Sequence, residues 1–222
     1  MNGQFLILAI PKGRILPKAA RLLVDVGIEI DADQLTSRRL TIDTSLAWLK
    51  VSIIRNSDIL LAIRSGAADL AIAGSDQLAE DAGDDYYDLY DLGIAKCWLK
   101  VAAPVGYVRN NKLVRVATKF ARLTRAYYAA KGVQAQVVRL NGAMELAVSM
   151  GLADEIVDLV ETGKTLTENG LEPVDTLLAV TSHLIANRDR LITQHQAMRE
   201  LVERFGRVLP ASGTALQPRA TN

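Results

Sequence analysis

A six-residue apolar run, Phe5-Leu6-Ile7-Leu8-Ala9-Ile10, passes directly into Pro11-Lys12-Gly13-Arg14 and then into apolar residues at helical spacing. Leu16, Ala19, Ala20, Leu23 and Val26 mark that helix, and Gly27 is placed to end it. A buried strand feeding a helix is the repeating unit of α/β proteins, and the rhythm recurs. Residues 51–54 read as a strand, Asn56, Ser57 and Asp58 offer oxygen acceptors to a helix over 59–64, and Gly66 stops it. Leu70-Ala71-Ile72-Ala73 is a further buried strand that empties into Gly74-Ser75-Asp76.

A second cycle starts near Val101-Ala102-Ala103-Pro104. Its strands fall at 114–118 and 136–140, with a helix at 123–131 between them. A helix over 142–150 closes at Gly151, and a strand over 155–160 ends in Glu161-Thr162-Gly163-Lys164-Thr165. The chain then returns through a long amphipathic helix marked by Leu191, Ile192, His195, Met198, Val202, Phe205 and Leu209. The reading is two α/β lobes with mostly parallel sheets. The first takes residues 1–100 plus 181–209, the second takes 101–180, and the Pro- and Gly-containing segment 210–222 is expected to be a disordered tail. The length of 222 residues lets such a chain bury roughly 70% of its unfolded surface without a disulfide or metal staple.

Composition excludes several classes. Lysine and arginine total 26 against 25 aspartate and glutamate, so no overall field attracts a nucleic acid or an anionic membrane. Cys97 is the only cysteine and His183 and His195 the only histidines, too few for a disulfide, a Cys/His metal site or a catalytic triad. No apolar segment approaches the ~20 residues that span a bilayer, and the first strand begins without a basic leader. A soluble, cytoplasmic protein in a reducing compartment is expected.

The richest chemistry lies at 156–165. A strand that ends in Glu-Thr-Gly-Lys-Thr places hydroxyls, a cation and the amides of a glycine turn at the carboxyl end of a sheet, where α/β proteins bind ligands. It is not a Walker A loop, because Asp158 stands where that pattern requires glycine. By spacing alone the segment fits a phosphate cradle or an ordinary hydrophilic turn. Asp158 interrupts an apolar strand, and an unpaired buried carboxylate costs several kcal/mol, so it needs a partner. With Glu161 it suits ribose hydroxyls; a helix cap or a nearby cation would serve equally. Lys12-Gly13-Arg14 opens the first helix beside its free amides, and Arg38, Arg39 and Arg55 add guanidiniums whose fork suits phosphate oxygens, though each also fits a solvated surface.

In order and spacing, Leu8-Ala9-Ile10-Pro11-Lys12-Gly13-Arg14, Ser37-Arg38, Gly74-Ser75-Asp76, Asp88-Leu89-Tyr90-Asp91-Leu92-Gly93, Arg115-Val116-Ala117-Thr118-Lys119, Asp158 to Leu166 and Leu184-Ile185-Ala186-Asn187-Arg188 resemble the ATP phosphoribosyltransferases. The resemblance implies a two-lobed fold of the type II periplasmic-binding-protein kind. It also implies transfer of the phosphoribosyl group of 5-phosphoribosyl 1-pyrophosphate to N1 of ATP, with Mg²⁺ carried by the polyphosphates. Thr162, Gly163, Lys164 and Thr165 would hold the 5-phosphate, and Asp158 and Glu161 the ribose hydroxyls. Arg14 and Arg38, with Lys12 and Gly13, would face the pyrophosphate, while Arg55, Asp76 and Glu145 are candidates for the ATP side. Ser75 occupies a position often taken by lysine, and Lys164 a variable one.

The resemblance is to the short members of the family, which lack an added regulatory domain. They form homo-oligomers and act with a separate regulatory subunit resembling histidyl-tRNA synthetase. The competing expectation is a small-molecule binding or sensing module without catalysis, since two-lobed folds of this kind also serve solute receptors.

Overall fold

The computed structural model describes residues 5–36, 39–81, 83, 85–109, 113–193 and 195–209. The chain divides into two compact units, Met1–Ser75 with Ala82–Ala95 and Thr181–Asn222, and Asp76–Asp81 with Lys96–Val180. The expected tail, 210–222, lies outside the described residues.

In the first unit, β1 (Leu6–Pro11), β2 (Thr41–Asp43), β3 (Leu49–Ile54), β4 (Leu70–Gly74), β5 (Tyr86–Asp91) and β11 (Ser182–Asn187) form a sheet in the order β2-β3-β1-β4-β11-β5. The second unit builds a sheet in the order β10-β6-β9-β7-β8 from β6 (Cys97–Pro104), β7 (Leu113–Thr118), β8 (Gln134–Arg139), β9 (Glu155–Val160) and β10 (Leu171–Val180). The sheets are mixed, not mostly parallel. Parallel pairing joins β3, β1 and β4 in one and β9, β7 and β8 in the other. The flanking strands pair antiparallel. The chain passes into the second unit for Asp76–Asp81 and again from Lys96, where Cys97–Lys100 join β10 and β9.

The helices follow the apolar spacing. Helix α1 (Ile15–Asp25) buries Ala19, Leu22 and Leu23 against β1, and Gly27 ends it at φ +76°. The returning segment is helical over α8 (Arg188–Thr193) and α9 (His195–Val208), on either side of residue 194, which lies outside the described residues. Asn187 Oδ1 accepts the Arg190 amide at 2.9 Å and starts α8 as an N-cap. Met198, Leu201 and Phe205 of α9 bury their side chains in the first core. Asn56, Ser57 and Asp58 do not cap the next helix, α3 (Ile59–Arg64): they form a 3₁₀ turn, and Asp58 makes no side-chain cap bond.

The second unit has an apolar cluster on each face of its sheet. Leu99, Val101, Val116, Val157 and Tyr128 meet on one, with Tyr128 in α5 (Ala121–Ala130). Ala102, Ala117 and Ile156 meet Met144 and Ala147 of α6 (Met144–Ser149) and Leu166 of α7 (Lys164–Glu168) on the other. The amino end of β9 is tied by a buried carboxylate. Glu155 takes three bonds from Arg109, Nε at 2.9 Å and Nη2 at 2.7 Å to Oε1 and Nη2 at 2.8 Å to Oε2, and another from the Tyr128 hydroxyl. Burial pushes the Tyr128 phenol well above its ordinary range, and the adjacent Glu155 pushes it further. Removing one member of such a group strands the others. Glu155→Ala should lower unfolding stability in denaturant titrations by about 3 kcal/mol; an unchanged midpoint would mean the tie is not structural.

Candidate functional site

The candidate residues fall into two sets, each at the carboxyl end of parallel strands in its own unit. In the first unit, Pro11 pairs with Ile54 at the ends of β1 and β3, so Lys12-Gly13-Arg14 and Arg55 leave the same edge of the sheet. The Lys12 amide donates to Ile54 O at 2.8 Å and fixes that turn. Gly13 sits at φ +94° with nothing within 4 Å of where a Cβ would stand, so the backbone angle and not crowding calls for glycine. Lys12 and Arg55 are exposed and Arg14 is half-buried at the start of α1. Gly74 ends β4 on the same edge, and the Ser75 hydroxyl accepts the Thr181 amide at 3.1 Å, which makes it a joint between β4 and β11. Arg38 lies outside the described residues.

The second set is built on β9. Asp158 is half-buried near its carboxyl end, and its Oδ1 accepts the Leu159 amide at 2.8 Å. Burial pushes its carboxyl above the usual range; the Leu159 amide and Lys119 pull it back, and Glu145 and Asp76 push it up. Those two carboxylates occupy first turns, Glu145 in α6 and buried Asp76 in α4 (Ser75–Glu80). The residue before α6, Ala143, holds a left-handed conformation at φ 50°, a strain of about 1–2 kcal/mol for a residue with a Cβ. Among the described residues no three His, Cys, Asp or Glu side chains converge as a metal-ion site.

Beyond Val160 the chain turns through exposed Glu161 and Thr162 to Gly163, left-handed at φ +79°, and into α7. The Lys164 amide donates to Thr162 Oγ1 at 3.4 Å, and Gly163 O accepts the Thr167 amide at 3.1 Å. Lys164 reaches along its own helix to Glu168 at 3.7 Å, and both side chains are largely in solvent, so that pair adds little stability. Thr165 is exposed at the same end. The turn thus presents hydroxyls, a helix start and a glycine backbone on the edge where Asp158 emerges.

Sequence reasoning missed Lys119 as part of this set. It directly follows the strand at 114–118, but its place beside Asp158 is set by the pairing of β7 with β9 and not by local spacing. Tyr127 and Tyr128 form an edge-to-face pair with centroids 5.0 Å apart, and their hydroxyls donate to carboxylates, Asp175 and Glu155.

A family profile described as HisG, ATP phosphoribosyltransferase, matches residues 55–207. An ATP phosphoribosyltransferase of Chromohalobacter salexigens is 45% identical over 204 residues, which is 92% of this chain and 94% of that one. The chain belongs to the ATP phosphoribosyltransferase family. Its fold matches that of the Thermotoga maritima ATP phosphoribosyl transferase (HisG:HisZ) complex at a TM-score of 0.77 and 28% identity, covering 92% of this chain and 98% of that one. An L-cystine ABC transporter protein of Listeria monocytogenes superposes at a TM-score of 0.55 with 11% identity, over 92% of this chain and 90% of its own. That second likeness concerns the fold alone, and this ATP phosphoribosyltransferase family member has the two-lobed architecture of type II periplasmic binding proteins.

Gly163 offers a direct test of the turn. A Cβ there would meet only Val160 Cγ1, at 3.9 Å, so replacement is costly through backbone strain and not collision. Gly163→Ala should cost about 1–2 kcal/mol of stability and weaken binding of a phosphorylated sugar, measured by denaturation and calorimetry. Wild-type values for both would contradict a required left-handed turn.

Proposed function

We infer that this protein transfers the phosphoribosyl group of 5-phosphoribosyl 1-pyrophosphate to N1 of ATP, releasing pyrophosphate, the first step of histidine biosynthesis. The observation that carries this reading is the end-to-end match to ATP phosphoribosyltransferases. The left-handed turn that follows a strand bearing a half-buried aspartate supports it.

The reaction sets the division of labour. The bond from ribose C1 to the pyrophosphate oxygen breaks as the lone pair of adenine N1 forms the new bond to C1. Positive charge develops on the ribose and negative charge on the departing group. The protein must hold the two partners in line and stabilise the leaving anion, and an unprotonated N1 needs no strong general base. In this reading Thr162, Gly163, Lys164 and Thr165 bind the 5-phosphate, and Asp158 and Glu161 bind the ribose hydroxyls. Lys12, Gly13, Arg14 and Arg38 serve the pyrophosphate, with Arg55, Asp76 and Glu145 on the ATP side. Mg²⁺ enters as part of the substrates, bound to their polyphosphates.

Homo-oligomers and a regulatory subunit resembling histidyl-tRNA synthetase belong to the same proposal. The Thermotoga maritima relative is a HisG:HisZ complex, and this chain matches its counterpart almost end to end. A cytoplasmic location is proposed on the same ground; no helix among the described residues is long and apolar enough to cross a membrane.

Mixing the protein with ATP, 5-phosphoribosyl 1-pyrophosphate and Mg²⁺, with and without the regulatory subunit, should change the ultraviolet absorbance of the adenine. Arg38→Ala should lower that rate by about 10²–10³ while weakening sugar-diphosphate binding far less, because a leaving-group contact is made chiefly in the transition state. Absence of any change with wild-type protein under both conditions would overturn the activity. A variant with normal turnover and only weaker binding would overturn the role of Arg38.

A further inference from the structure

Two adjacent strands of the second sheet place Lys100 and Asp158 side by side, and Lys119 follows the end of a third. Ala102 of β6 pairs with Ile156 of β9, which pairs with Ala117 of β7, and all three belong to the apolar cluster under α6 and α7. Ladder partners project to the same face, and the face repeats every second residue. Two residues onward, Lys100 is the partner of Asp158, and Lys119 stands beside Asp158 one residue after the Thr118–Val157 pair. The neighbours confirm the direction: Leu99, Val101, Val157 and Phe120 all enter the cluster on the opposite face. The apolar row Ala102-Ile156-Ala117 is therefore followed, at the ligand-binding end of the sheet, by the Lys100–Asp158 pair, with Lys119 in the bend that directly follows β7.

The two lysines are not equivalent. Lys100 Nζ lies 5.5 Å from the centroid of the Trp98 ring, two residues away on its own strand. Lys119 acts electrostatically on Asp158 as well as packing over Phe120, with Nζ 4.8 Å from that ring centroid. The other charges that face Asp158 are carboxylates, Glu145 from α6 and Asp76 from α4, and Glu161 follows in the turn just after β9. A ribose-binding carboxylate in that company needs a cation beside it.

Resting on the assignment of Asp158 to the ribose hydroxyls, we propose that Lys119 is a positioning residue of the phosphoribosyl site, whose ammonium keeps Asp158 a charged acceptor for the sugar. Lys119 does its work through Asp158 and does not itself grip a phosphate. The sign follows from the charges. A neighbouring cation lowers a carboxyl pKa and neighbouring carboxylates raise it, so loss of Lys119 leaves Asp158 protonated at a higher pH.

The test is calorimetric binding of Mg²⁺-5-phosphoribosyl 1-pyrophosphate to the full chain as a function of pH. Lys119→Met should move the acid-side fall in affinity upward by about one pH unit while affinity on the alkaline side stays near wild type. Lys119→Arg should restore the wild-type profile, and Lys100→Met should leave the position of the fall in place. A Lys119→Met profile that coincides with wild type overturns the proposal, as does an equal loss of affinity at every pH, which marks direct phosphate contact. An equal shift from Lys100→Met also overturns it, because net charge then accounts for the effect. Asp158→Asn separates the two claims: weak binding without the acid-side step supports the ribose assignment, whereas wild-type binding at every pH defeats that assignment whatever Lys119 does.

Discussion

A carboxylate in the middle of a sheet is the constraint from which the second unit is best understood. Asp158 lies on the strand between β6 and β7, half out of water and near Glu145 and Asp76, where its charge is disfavoured. A stability-driven sequence would place an apolar residue there, as it does one step earlier at Ile156. The arrangement persists with compensation from the Leu159 amide and Lys119. In the proposed function, the hydroxyls of the bound sugar add hydrogen bonds to that carboxylate.

The same strand is stabilised at its other end by a carboxylate with a complete set of partners. Glu155 is bound by Arg109 and Tyr128, so its charge holds the fold together and has no capacity left for a ligand. The contrast between these two acids, three residues apart on β9, separates framework from function. Strain is placed in the same way. Gly163 takes a left-handed angle that glycine accepts, while Ala143, just before Glu145, takes one that a Cβ opposes.

Much of this was legible in the sequence, and the failures have physical causes. Strands β1 and β4 announce themselves because burial on both faces demands unbroken apolar runs, Leu6–Pro11 and Leu70–Gly74. Strands β5 and β10 escape notice because they lie at sheet edges, where Asp88, Pro173 and Asp175 are tolerated among the apolar residues. The returning helical segment reads directly from its 3.6-residue period, which carries Met198 and Phe205 into the first core. At the site, Asp158 and the glycine turn were visible as a polar break in an apolar strand. Lys119 was not, because its importance comes from strand order, and order across a sheet is not written in local spacing.

Amide hydrogen exchange with 5-phosphoribosyl 1-pyrophosphate and Mg²⁺ reads the central claim most directly, since the sugar phosphate should be held by backbone groups as well as side chains. Protection on ligand addition should be strongest over residues 158–166, where β9 passes through Gly163 into α7. Saturating ligand that leaves those amides exchanging as in the free protein, with protection elsewhere in the second unit, would contradict the account.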